Sequence, residues 1–232
     1  RFCYTPPHED IPIRDAPFKN NGHITFGSFN KLSKLTDEVV AVWSEILAHV
    51  PEAKLMLKSR QLEDPEIRLA TQARFSQHGI PPKRLILEGV TNRDDYLEAF
   101  NRIDIALDPF PFPGGTTSAD AIWMGVPVLT RKGENLISRQ GEGILTSAKL
   151  TEWIATDNEN YVRKAVAFAM DIERLVELKE ELRKRDESRP LYDADQFARD
   201  FEVLVRSIWK DYCKEKGVAI ADSPVLDFSK WT

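Results

Sequence analysis

Residues 103–123, IDIALDPFPFPGGTTSADAIW, decide the reading of this chain. The run Ile103 to Leu107 is strand-like, and it ends at Asp108 in a turn rich in proline and glycine. Gly114-Gly115-Thr116-Thr117 then opens a helical pattern that runs to Trp123 and is closed by Gly125. A strand that enters a helix through a tight glycine turn leaves the first backbone N–H groups of the helix without intrahelical acceptors. With the helix dipole they form an anion site. Thr116 and Thr117 bring hydroxyls to the same end, and Asp120 lies about one turn further on. Amides for phosphate, hydroxyl donors and a carboxylate for sugar hydroxyls together point to a nucleotide or nucleotide-sugar site. Threonine is also an ordinary N-cap, which accounts for one of the pair behind Gly-Gly and not for both. Asp120 taken alone is equally a first-turn acid favoured by the dipole.

The same alternation extends outward in both directions. Residues 24–29, 54–57, 85–87, 103–107 and 126–130 read as strands, with a further short one in 153–155. Between them, 36–49, 64–77, 93–100, 116–123 and 138–147 read as helices. Thr36 is placed to cap the first of these, and Val39, Val40, Trp43, Ile46 and Leu47 share its apolar face. Short strands alternating with helices predict an α/β fold with a doubly wound, Rossmann-like parallel sheet. C-terminal helices follow, with a break near Met170-Asp171. In the last of them Phe197, Phe201, Leu204, Val205, Ile208 and Trp209 are expected to face inward. Residues 1–22 are proline-rich and read as an extended lead-in or linker, 23–215 as the lobe itself, and 216–232 as an irregular tail.

Composition removes several classes of function. The 232 residues carry 32 basic and 37 acidic side chains, a net charge of −5. No basic excess marks a binder of nucleic acid or of an anionic membrane, so any anion site is local. No apolar run reaches transmembrane length. Cys3 and Cys213 form neither a metal cluster nor a disulfide framework and suit a reducing, cytoplasmic compartment. His8, His23, His49 and His78 share no ligand spacing, so no metal is expected.

In a sheet of this kind, ligands bind beyond the carboxyl ends of the strands. The loops after the first, third, fourth and fifth strands carry Asn30–Lys34, Gly89–Arg93, the Gly114–Thr117 turn and Arg131–Glu134 to that edge. Lys34 precedes a helix start, where its charge opposes the dipole unless an anion neutralises it. A solvated surface lysine is the plainer alternative. Tyr96 stands at helical spacing from Phe100, which favours packing over base stacking. Trp43 and Trp123 lie in apolar stripes and read as core. For Arg139 both a phosphate-side role and a solvated helix-start role stay open.

Three segments carry a family resemblance: FGSFNKLSKLTDEVVAVW (26–43), ALDPFPFPGGTTSADAIWMGVPVLT (106–130) and SRQGEGIL (138–145). They resemble the carboxyl-terminal lobe of O-linked N-acetylglucosamine transferase-like enzymes, a family that includes the Spindly-type fucosyltransferases and bacterial tetratricopeptide-repeat relatives. The bacterial type looks nearest, and the likeness spans residues 24–212. It implies one lobe of an inverting, metal-independent GT-B glycosyltransferase that needs no cofactor. The donor would be UDP-GlcNAc or another UDP-hexose, although the fucosyl branch uses a guanosine diphosphate sugar. The resemblance assigns Lys34 to the donor diphosphate as the principal catalytic group, and Thr116 and Thr117 to the phosphates. Asn30, Gly114 and Gly115 lie in the same turns. Asp120 would hold the ribose, and the Val90–Thr91 backbone and Tyr96, with Arg93 nearby, would lie near the base. Gly115 and Tyr96 both stand where the animal enzymes carry histidine. The partners implied are an amino-terminal lobe supplying the acceptor site and base, tetratricopeptide repeats, and a protein acceptor. This lobe alone is then expected to bind nucleotide weakly and to turn over little. A non-catalytic nucleotide-sugar-binding or interaction module is the alternative from another class. A sugar-nucleotide epimerase on the same fold would need acid/base groups that are not evident.

Overall fold

Six short apolar runs pair as parallel strands: β1 (Thr25–Ser28), β2 (Lys54–Lys58), β3 (Leu85–Glu88), β4 (Ile105–Leu107), β5 (Val128–Arg131) and β6 (Ile154–Ala155). This computed structural model describes residues 3–7, 11–184 and 189–217. The strand order is β3-β2-β1-β4-β5-β6, so the direction of winding reverses between β1 and β4. That is the doubly wound sheet expected from the alternation, and the reversal opens a crevice at the carboxyl ends of those two strands.

The helices are α1 (Phe18–Asn21), α2 (Asp37–His49), α3 (Pro65–Ser76), α4 (Arg93–Glu98), α5 (Thr116–Trp123), α6 (Gln140–Ser147), α7 (Asn158–Met170), α8 (Ile172–Arg183) and α9 (Ala194–Lys216). Local chemistry sets several of their starts. The Thr36 hydroxyl accepts from the Val39 amide at 3.2 Å, and Asp64 accepts from the Glu66 amide at 2.8 Å ahead of Pro65. Asp171 caps α8, which accounts for the break between α7 and α8. The face of α2 formed by Val39, Val40, Trp43, Ile46 and Leu47 is buried, and Trp123 is buried on α5.

Some boundaries move. β4 starts at Ile105, although the Asp104 amide still donates to the Thr25 carbonyl at 2.7 Å and its carboxylate accepts from the Thr25 and Phe18 amides, at 2.8 and 3.2 Å. β5 starts at Val128 because Pro127 has no N–H to give, although its carbonyl still accepts from Ala106 at 2.9 Å. α6 starts at Gln140 because Asn135 and Ser138 close a turn on each other. The described part of the lead-in lies against the sheet domain: Tyr4 N–H donates to the Leu191 carbonyl at 2.7 Å, and Asn101 accepts from the Arg14 amide at 2.9 Å. His8, and the tail beyond Gly217, lie outside the described residues.

The chain divides into two units, one ending at Ala194 and the other beginning at Asp195. In the second, the expectation of an inward apolar face is corrected. Phe201, Leu204, Val205, Ile208 and Trp209 are 46–60% exposed. The helical spacing of these residues is real, but it does not bury them: each stays about half exposed. A periodic apolar stripe records that a face can be buried without supplying what buries it.

Candidate functional site

Two turns meet at the reversal between β1 and β4. The loop after β1 folds Leu32–Lys34 into a single 3-10 turn, which carries Lys34 towards the segment after β4. The Lys34 ammonium donates to Asn30 Oδ1 at 3.1 Å and to the Pro113 carbonyl at 2.8 Å, and it stands 4.2 Å from the centre of the Phe112 ring. One cation therefore ties both sides of the crevice together. Burial lowers its pKa, while the nearby Asp108 carboxylate pushes back towards the charged form.

Asp108 was not singled out from the sequence. It is fully buried where β4 ends, and its Oδ1 accepts from the Gly114 amide at 3.2 Å and the Ser118 hydroxyl at 2.7 Å. Burial pushes its carboxyl up to about 6 against those hydrogen bonds and the Lys34 charge. These contacts hold the glycine turn over the start of α5. A Cβ at Gly114 would meet Ser118 Oγ at 2.1 Å, so this position needs glycine for space.

α5 has Gly115 as its N-cap, with no side chain capping it. Thr116 and Thr117 are its first two residues, and neither acts as the cap. Their amides have no acceptor among the described residues. Thr116 is exposed, and the Thr117 hydroxyl engages that of Tyr96.

On the inner side of α5, Asp120 is 1% exposed. Arg93 grips it with both terminal nitrogens, at 2.9 and 2.8 Å, and the Tyr4 hydroxyl also donates to it. The hydrogen bonds to Asp120 raise the Arg93 pKa, and burial raises that of Tyr4. A carboxylate this deep is tolerable because it is gripped in this way. Arg93 lies 5.3 Å from the centre of the Tyr96 ring, and Tyr96 packs edge-on to Phe29 and Phe100. Tyr96 packs, as its spacing from Phe100 predicts, and it also faces an opening.

That opening is a cleft of about 650 Å³ beyond β1, β2 and β3, walled in part by Val90, Thr91 and Tyr96. Lys31, from the loop after β1, and Lys58, Arg60 and Glu63 complete much of its wall, and sequence reasoning missed the last three. The signal was present: in an all-parallel sheet the loop after β2 must emerge at the same edge as its neighbours. Glu63 also accepts from the Val90 amide at 3.3 Å and so fixes the loop after β3.

The loop after β5 behaves differently. Arg131 pairs with Glu38 at 2.8 Å and lies 4.0 Å from the Phe110 ring centre, so it is a packing cation. Arg139 pairs with Glu142 at 2.7 Å on the surface. Among the described residues no group of three or more histidine, cysteine or acidic side chains could hold a metal ion. No described helix is long and apolar enough to cross a membrane.

Comparison with known proteins places this arrangement. The model of glycosyl transferase family 41 matches residues 13–201. A protein from Solanum lycopersicum named "Probable UDP-N-acetylglucosamine--peptide N-acetylglucosaminyltransferase SPINDLY" is 35% identical over 213 residues, covering 91% of this chain and 23% of its own length. A UDP-N-acetylglucosamine--peptide N-acetylglucosaminyltransferase from Caenorhabditis elegans is 29% identical over 197 residues, covering 85% of this chain and 17% of its own. A solved O-GlcNAc transferase variant from Thermobaculum terrenum superposes with a TM-score of 0.80 at 35% identity, over 91% of this chain and 40% of that one. The sucrose-phosphate synthase of Thermosynechococcus elongatus, at 14% identity and a TM-score of 0.56 over 87% of this chain and 50% of its own, shares the fold alone. The chain thus spans under a quarter of the length of these curated relatives.

Proposed function

The chain belongs to glycosyl transferase family 41, and we propose that it is the donor-binding lobe of an inverting, metal-independent glycosyltransferase that moves a sugar from a nucleoside diphosphate to a protein. The observation that carries this reading is the Lys34 ammonium, held across the strand-order reversal at 3.1 Å from Asn30 and 2.8 Å from Pro113, beside a helix start that no side chain caps. The names of the relatives support UDP-GlcNAc as donor and a peptide as acceptor. An amino-terminal lobe, with tetratricopeptide repeats ahead of it, would supply acceptor and base. The surroundings we propose are cytoplasmic.

The geometry accounts for the chemistry in order. The base lies in the cleft lined by Val90, Thr91 and Tyr96. We assign Asp120 to the ribose; because Arg93 holds both of its oxygens and Tyr4 also donates to it, nucleotide binding has to free one of them. The diphosphate lies over the start of α5, against the Thr116 and Thr117 amides and hydroxyls and the Lys34 ammonium. An acceptor hydroxyl attacks the anomeric carbon from the face opposite the leaving group, which inverts that centre. The carbon–oxygen bond to the diphosphate breaks, and the acceptor proton passes to a base outside this lobe. Negative charge grows on the leaving diphosphate, where Lys34 and the α5 amides are already positioned. They therefore stabilise the transition state more than the ground state.

Titration calorimetry with UDP, UDP-GlcNAc and GDP tests the reading. Wild type should bind a uridine nucleotide. Lys34→Ala should weaken UDP binding about 10- to 100-fold, and Thr117→Val about two- to tenfold. Absence of binding by any of the three ligands would remove the donor-site reading. Binding unchanged in both variants would remove these residues from it.

A further inference from the structure

Gly115 lies at the anion-facing end of α5, and the space a side chain would take there is already filled. A Cβ on Gly115 would come within 2.3 Å of Gln140 Nε2. The residue has φ −110°, so no left-handed backbone demands glycine here; the neighbouring amide does. Gln140 is the first residue of α6, whose start, like that of α5, has no side-chain cap. Its carboxamide is therefore set between two helix starts. Its one described side-chain hydrogen bond is long, 3.4 Å to the Gly114 carbonyl, and the residue is only partly buried. Such a contact does little for the fold, yet it leaves an N–H beside the turn that holds Lys34 through Pro113.

We infer that Gln140 is a donor-site residue whose side-chain amide, reaching across from α6 into the space left by Gly115, donates to the diphosphate of the bound nucleotide. The inference rests on the donor-site reading above and adds to it a residue from a second helix. The neutral amide suits this position. A glutamate would set a carboxylate against the diphosphate, and a residue with a Cβ at 115 would push the amide aside.

The test uses the full chain and titration calorimetry with UDP and UMP, with thermal melts as folding control. Gln140→Glu is nearly isosteric and should weaken UDP binding about tenfold or more, with a smaller loss for UMP, which lacks the second phosphate. Gly115→Ala meets only the far end of a flexible side chain, so it should fold normally and weaken UDP binding about threefold or more by displacing Gln140. In a Gln140→Ala background the same Gly115→Ala change should cost no further UDP affinity, because both act through the one amide. UDP affinity within about twofold of wild type in Gln140→Ala would overturn the inference while leaving the donor site standing, since a carboxylate at 140 weakens UDP by proximity alone. Equal losses for UDP and UMP would also overturn it, by placing Gln140 away from the second phosphate. A wild type that binds neither nucleotide overturns the donor-site reading itself.

Discussion

Asp108 lies buried under the glycine turn, and its carboxyl is pushed up to about 6 by that burial. A carboxyl whose folded value lies above its unfolded value of 3.8 holds its proton more tightly in the native state. Its contribution to stability is complete below the unfolded value and is lost as pH rises through the folded one. That displacement is worth on the order of 3 kcal/mol. Asp104, buried and also pushed up to about 6, adds to the same slope. Asparagine at 108 can still accept from Gly114 and Ser118. Asp108→Asn should therefore flatten, in part, the fall in melting temperature between about pH 4 and about pH 6, without lowering the melting temperature at neutral pH. Melting curves that run parallel in the two proteins would refute this account of Asp108. Asp108 also organises the turn and favours the charged form of Lys34.

β1 illustrates how tightly the elements are set at the site. Its Gly27 faces Ile103, and a Cβ there would stand 2.6 Å from both Ile103 Cδ1 and Cγ2. Ile103 is fully buried and cannot swing out. Gly27→Ala should cost about 1–3 kcal/mol through overpacking, read as a lower urea midpoint at unchanged slope. Ile103→Val removes Cδ1 and should restore part of that loss in the double variant. A double variant whose cost equals the sum of the single ones would show that the two do not touch. The elements themselves were largely legible in the sequence because their signals are local. Thr36, Asp64-Pro65 and the glycine turn mark helix starts from their own residues. Of the boundaries that moved, those of β5 and α6 follow from sequence neighbours, Pro127 and the Asn135–Ser138 turn, whereas Asp104 serves the distant Thr25 and Phe18 amides.

At the scale of the whole molecule, every residue assigned to the donor site falls in the unit that ends at Ala194. The long helix of the second unit contributes an amphipathic stripe in which Phe201, Leu204, Ile208 and Trp209 are more than half exposed. A chain ending at Ala194 should keep UDP affinity within about twofold of the full chain and bind less of a hydrophobic-surface dye. Loss of UDP binding on that truncation, with the remainder still folded by circular dichroism, would place part of the site beyond residue 194. The chain covers 23% of a curated relative of family 41, and sugar transfer is proposed for the longer protein to which such a lobe contributes.

The sequence by itself determined the class of fold, the glycine turn and the loops that carry Lys34, Thr116, Thr117 and Tyr96, because periodicity, caps and turn residues act over a few positions. Only the tertiary structure decided what those residues touch. Arg93 reaches Asp120 across 27 positions and Tyr4 reaches it across 116. Gln140 fills the space beside Gly115, and the loop after β2 supplies much of the wall of the cleft. Such contacts depend on strand order and register, which bring distant segments to one sheet edge and leave no trace in the residues on either side of them.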